Sequence, residues 1–267
     1  MCLIAWNWQP GSALPLLVLA NRDELYARPT LALHAWPCGR VLAGKDEQAG
    51  GTWLGLGHNG PRFRFAAITN FRDLSLVRPD AVSRGELVPE FLRSDESADA
   101  YLERLRPTAH SYNPFNLLVF DGTDLRGFES HSGRTVVCAP GVGAVSNAGF
   151  NTPWPKLLQL KQAVAKLASQ EHPPMQQLLQ LLADQTPVAD ADLPATGIGL
   201  ERERALAPVF VRTPDYGTRA SSVVSVHTRS ADLLEQSFDA VGPTGLQQLS
   251  TSIPGAQTGF ARSLHGN

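Results

Sequence analysis

Met1-Cys2-Leu3-Ile4-Ala5-Trp6 and, some twenty positions on, Asn21-Arg22-Asp23-Glu24 are the two stretches from which the rest of the chain is read. Methionine aminopeptidases remove Met1 when the next side chain is small. Cysteine qualifies, so the mature chain is expected to begin at Cys2. That residue would then carry a thiol and a free α-amine, whose ordinary pKa values are about 8.5 and about 7.7–8.0. The amine can take the thiol proton directly or through one water, as in enzymes that pair a nucleophile with their own N-terminal amine. Taken alone, Cys2 reads more readily as a small buried hydrophobe in an edge strand, and the residues that follow are what favour the catalytic reading.

Residues 2–8 and 15–20 read as two strands joined by the turn Gln9-Pro10-Gly11-Ser12. Their nearly continuous apolar character predicts burial on both faces. Such a hairpin ends its second strand at Asn21-Arg22-Asp23-Glu24 and returns these side chains to the start of the first, beside Cys2. Arg22 and Asp23 would hold amine, thiolate and substrate in register, an acid fixing an ammonium and a base biasing a thiol. The plainer alternative is a solvated turn with a local ion pair.

The composition is that of an ordinary globular chain, 43% hydrophobic and 18% charged over 267 residues. That length suffices for a sizeable core. A net charge of −2 leaves no basic surplus to neutralise phosphates, so nucleic acid is not an expected partner. The longest apolar run, 13–20, is too short to span a bilayer, and no basic segment precedes it as in a signal peptide. Three cysteines, Cys2, Cys38 and Cys138, form no CxxC pair, and their odd number suits a reducing cytoplasm. The seven histidines show no HxxxH or HExxH spacing, so neither a metal site nor a cofactor is expected.

Further along, Gly50-Gly51 permits backbone conformations closed to other residues and close approach of another chain segment. Trp53 reads as core or pocket wall. Asn59-Gly60 is a hairpin turn, and Asn70 ends an apolar strand where its carboxamide can donate to a developing oxyanion. Ser83 with Glu86 three residues on is a capping-box signature for a helix, and a second helix is expected over 97–105. Strands are predicted at 115–120, 125–129, 135–139 and 142–146, helices at 155–169 and 175–183, and strands at 208–212 and 221–226. Arg219 stands at the mouth of the last strand. Cys38 and Cys138 read as sitting in or beside apolar strands. The stretch 239–267, rich in Gly, Ser, Thr and Gln, is expected to be a loosely ordered tail behind one domain over 1–238. Meanders followed by helices, twice over, predict an α+β layered domain rather than parallel βαβ units.

With Met1-Cys2, Asn21-Arg22-Asp23-Glu24, Ala49-Gly50-Gly51-Thr52-Trp53-Leu54-Gly55, Thr69-Asn70-Phe71-Arg72, Ser146-Asn147, Thr152-Pro153-Trp154-Pro155-Lys156 and Tyr216-Gly217-Thr218-Arg219, the chain resembles the NRDE family, also called the transport and Golgi organisation family. More distantly it is similar to the choloylglycine hydrolase and penicillin V acylase group of N-terminal nucleophile hydrolases. That likeness implies a four-layer αββα sandwich with Cys2 as nucleophile and base on an inner strand. It also implies that Arg22 and Asp23 orient the amine and thiol, that Asn70 and Asn147 make the oxyanion and substrate contacts, and that Arg219 lies beside Cys2. Asn21, Glu24, Trp53 and Trp154 are expected to line the substrate pocket. The implied activity is hydrolysis or acyl transfer at a non-peptide C–N amide bond through a Cys2 thioester. The alternative is a non-enzymatic carrier of haem or lipid, or a trafficking protein, on the same fold.

Overall fold

The computed structural model describes residues 1–167 and 173–253. The expected hairpin forms from β1 (Cys2–Trp8) and β2 (Leu16–Leu25), and every residue of β1 is buried. A meander follows, interrupted by two helices: β3 (Thr30–Ala35), β4 (Val41–Asp46), β5 (Leu54–Asn59), β6 (Arg62–Asn70), α1 (Leu87–Arg93), α2 (Ala98–Leu105), β7 (Phe115–Phe120), β8 (Leu125–Glu129) and β9 (Arg134–Val137). The chain then crosses back through β10 (Gly141–Val145), α3 (Pro155–Leu167), α4 (Met175–Leu181) and α5 (Leu200–Leu206). It ends in β11 (Tyr216–Val226), β12 (Ser230–Phe238) and β13 (Pro243–Ser252).

Two antiparallel sheets result, of order β10-β1-β2-β11-β12-β13 and β3-β4-β5-β6-β7-β8-β9. Alternation along the strands then decides what each face buries. Ile4, Trp6, Val18 and Ala20 meet Phe65, Ala67 and Leu118 between the sheets. Leu3, Ala5, Leu17 and Leu19 pack outward on Leu157, Leu160 and Leu178 of α3 and α4. Ala66, Leu117 and Val119 pack outward on Phe91 of α1 and Leu102 of α2. Trp6 fits because its partner across the ladder is Gly143, where a Cβ would come within 2.3 Å of the indole. Truncating so buried a tryptophan costs about 3–5 kcal/mol. The structure is therefore α+β, with helices on the outer face of each of two packed sheets.

Several expectations are corrected. The second strand, read over 15–20 with its end at Asn21-Arg22-Asp23-Glu24, runs through that stretch to Leu25, paired with β1 as far as Arg22 and with β11 as far as Leu25, so the solvated-turn alternative does not hold. Residues 208–212 form no strand beyond an isolated Arg212–Gly217 bridge, although Val209 and Val211 are buried. Strands β3 and β12 were not anticipated. Within the stretch taken for a loose tail, Pro243–Ser252 is the edge strand beside β12. Its largely exposed side chains leave no apolar alternation to read. Positions 254–267 lie outside the described residues, as do the last two residues of the helix expected over 155–169. Cys38 lies exposed between β3 and β4, not in a strand, whereas Cys138 is buried.

Candidate functional site

Cys2 and Arg22 are direct cross-strand partners, so their side chains share the face turned towards the second sheet. There they line a cleft of about 610 Å³ together with Glu24, Asp46, Trp53, Asn70, Arg84, Arg219 and Glu235. Cys2 is 7% exposed, and burial pushes its thiol up, against the pull of the terminal amine and Arg22. Burial likewise pushes the terminal amine below its ordinary value. The neutral forms of both groups are thus favoured. The low thiol pKa that a flanking arginine alone would produce is not what the site provides.

Period-two alternation splits the charged tetrapeptide of β2. Arg22 turns inward, where its Nη2 donates to Asp46 Oδ2 at 2.9 Å and lies 3.8 Å from Glu24. Arg28 donates to the same Asp46 oxygen at 2.6 Å. Burial pushes Asp46 up, but the Arg28 hydrogen bond, the Ala49 N–H and the charge of Arg22 hold it below the usual carboxylate range. Asn21 and Asp23 face the opposite side. Asn21 donates to the carbonyls of Leu182 and Val209 at 2.8 and 2.9 Å and accepts from Ser221 at 2.6 Å, so it is a clamp in the core and not a pocket residue. Asp23 accepts from Thr218 Oγ1 at 2.8 Å, and its backbone N–H donates to the Met1 carbonyl at 2.5 Å. Burial raises its carboxyl, opposed first by buried Lys156 of α3.

Around the N-terminus, the Met1 amine donates to the Asp23 carbonyl and to the Tyr216 hydroxyl, the latter at 2.6 Å. The Met1 thioether accepts from Arg72 Nε at 3.1 Å. Arg72 belongs to a second cleft, of about 570 Å³, which it lines with Asn147 and Trp154. The expected set is therefore divided. Cys2, Arg22, Asp23, Glu24, Trp53, Asn70 and Arg219 line the first cleft, and Asn147 and Trp154 line the second.

Asn70 is half-buried and makes no side-chain hydrogen bond among the described residues, so its carboxamide is available. Asn147 is fully buried, donates to the Asn70 carbonyl at 3.0 Å and accepts from Ser146, which makes it the support of Asn70. Arg219 sits at a β-bulge, its guanidinium donating to the carbonyls of Leu25, Tyr26, Arg28 and Phe238 at 2.9–3.0 Å. It ties the rim of the cleft.

The sequence reading missed Asp46, Arg84 and Glu235. Arg84 is half-buried and donates to the Pro114 carbonyl at 3.1 Å. Burial lowers it, opposed by Cys2 and Glu24. Gly51 brings it there: a Cβ on Gly51 would lie 2.0 Å from the Gly85 carbonyl oxygen, and the Thr52 N–H donates to that oxygen at 3.0 Å. The glycine pair was the available signal. Glu235 is buried on β12 and accepts from the Leu33 N–H at 2.8 Å. Nothing in the sequence flagged its strand.

A family model for Transport and Golgi organisation 2 matches residues 1–240, from β1 to just before β13. The chain belongs to that family. A Transport and Golgi organization protein 2 homolog of Bos taurus is 38% identical over 248 residues, covering 85% of this chain and 88% of the relative. The Homo sapiens homolog is 33% identical over the same shares. A Drosophila melanogaster Transport and Golgi organization protein 2 is 36% identical over 129 residues, 44% of this chain and 45% of its own. The Transport and Golgi organisation 2 match thus covers Cys2, Arg22, Asp46, Asn70, Arg84, Arg219 and Glu235 of the first cleft.

Proposed function

We propose that this chain is an N-terminal nucleophile hydrolase or acyltransferase acting on a non-peptide C–N amide bond, with Cys2 as nucleophile once Met1 is excised. The observation that carries this reading is the juxtaposition of Cys2, on a fully buried inner strand, with the uncommitted carboxamide of Asn70 in one cleft. Burial favours the neutral thiol of Cys2, the form that a free α-amine deprotonates as substrate arrives.

The amine takes the thiol proton as sulfur attacks the carbonyl carbon, and the Asn70 N–H stabilises the oxyanion. Collapse breaks the C–N bond, and the ammonium returns its proton to the leaving amine. The resulting thioester is attacked by water, or by an acceptor amine or alcohol, whose proton again passes to the N-terminal amine. The thiolate leaves and recovers that proton. Arg22 and Asp46 fix the floor of the cleft beside the thiol. The alternative of a haem or lipid carrier is less well supported, since arginines and carboxylates crowd the lining.

The intact mass of untagged protein tests the activation step. The expected mass is lighter than the encoded chain by one methionine. Retention of Met1 in most molecules would favour the carrier, because the amine used as base would then belong to another residue.

A further inference from the structure

Arg72, from the Thr69-Asn70-Phe71-Arg72 motif, is given no task by the mechanism above. Its guanidinium is 4.8 Å from the Trp154 ring centre. Nη1 donates to Glu203 Oε2 at 2.9 Å, Nε donates to the Met1 thioether at 3.1 Å, and Nη2 is buried without a hydrogen-bond partner among the described residues. The residue is 9% exposed and lines the second cleft. Nε and Nη2 form the side-on edge of a guanidinium, the pair of parallel N–H groups that fits the two oxygens of a carboxylate. Among the described residues the only acceptor on that edge is a neutral sulfur.

Excision of Met1 would leave both N–H groups of this edge buried and unpaired, which is costly unless an acceptor arrives. We propose that loss of Met1 turns the Arg72 side-on edge into a carboxylate subsite in the space the Met1 side chain vacates, so that the substrate is an amide that itself bears a carboxylate. The assignment of a substrate rests on the hydrolase reading, whereas the subsite does not require Cys2 to react.

The test uses the full chain released from a cleavable leader so that it begins either at Cys2 or at Met1. Each is titrated calorimetrically with N-acetylglycine and with N-acetylglycinamide, which differ only in carboxylate against carboxamide. The Cys2-start chain is expected to bind the carboxylate at least about 10-fold more tightly, and the Met1-start chain to show no such preference. Arg72→Gln would leave Glu203 unpaired and is at risk of misfolding. Arg72→Lys retains a charge for Glu203 but lacks the two-pronged edge, and should abolish the preference in the Cys2-start chain. Equal binding of the two probes by the Cys2-start chain, or the same preference in the Met1-start chain, would overturn the subsite. Iodoacetamide labelling of Cys2 in the same samples reads the nucleophile separately. A carboxylate preference with an inert thiol upholds the subsite and removes the hydrolase reading, while a reactive thiol without the preference does the reverse.

Discussion

Lys156 shows how much of this site is held by charges placed out of water. It is fully buried on the first turn of α3, its ammonium donates to the Leu206 carbonyl at 3.1 Å, and burial pulls its pKa down to about 8 against the pull of Asp23. A lysine whose folded pKa lies below its unfolded value destabilises the fold at low pH, and the penalty is relieved as pH rises from the folded to the unfolded value. Here that window runs from about 8 to 10.5. At 1.36 kcal/mol per pKa unit, the wild type should gain roughly 3 kcal/mol relative to Lys156→Met between about pH 7 and about pH 10, read by urea unfolding at each pH. Parallel pH profiles for the two proteins would remove Lys156 from the charge balance around Asp23. Asn70 calls for the opposite outcome, because no hydrogen bond among the described residues holds its carboxamide. Asn70→Ala should leave the melting temperature unchanged and lower kcat on the order of 10²-fold on any amide turned over. An unaltered kcat would take Asn70 out of the oxyanion role. Arg22→Ala cannot be read so simply, since it strands Asp46 with Arg28 alone, and breaking a buried pair costs about 3–5 kcal/mol.

At the scale of elements, the close approach of Gly51 to Gly85 is what delivers Arg84 to the cleft. Gly51→Ala must push the two backbones apart, so a loss of about 1–3 kcal/mol is expected, together with an altered Cys2 alkylation rate as Arg84 retreats. A substitution neutral in both respects would show that this approach does not position Arg84. This same contact marks how far the sequence was legible. The continuous apolar pattern of β1 and the Gly-Gly pair announce burial and close approach, and both are found. Four polar residues in Asn21-Arg22-Asp23-Glu24 leave a solvated turn open as an alternative to a strand end. The pairing with β11, some two hundred residues away, carries the strand on to Leu25, beyond the last β1 pair at Arg22, and gives its alternate side chains different surroundings. Asn147 and Trp154 line the second cleft for a related reason: a motif gives neighbours in sequence, while their position after β10 decides which cleft they reach. Strands β3 and β13 were illegible because their outward faces are largely exposed and carry no apolar period.

Taken whole, the molecule gathers the first cleft from β1 and β2, from Asp46 of β4, from Asn70 of β6, from the Arg84 turn, and from Arg219 and Glu235 of β11 and β12. No single supersecondary unit contains it, so the site forms only when both sheets pack. Among the described residues no helix is long and apolar enough to cross a membrane. The central claim is that Cys2 and its own amine act as one unit inside this cleft. Its direct test is the rate of Cys2 alkylation by iodoacetamide against pH, for chains beginning at Cys2 and at Met1. Both chains carry Cys38→Ser, because Cys38 is exposed and would label first, whereas burial pushes the Cys138 thiol up to about 12. The account predicts a Cys2-start rate that rises through an inflection below the ordinary amine value of about 8 and exceeds the Met1-start rate at least about 10-fold near neutral pH. Equal rates in the two chains, both rising only above about pH 8.5 as for an unassisted thiol, would contradict it.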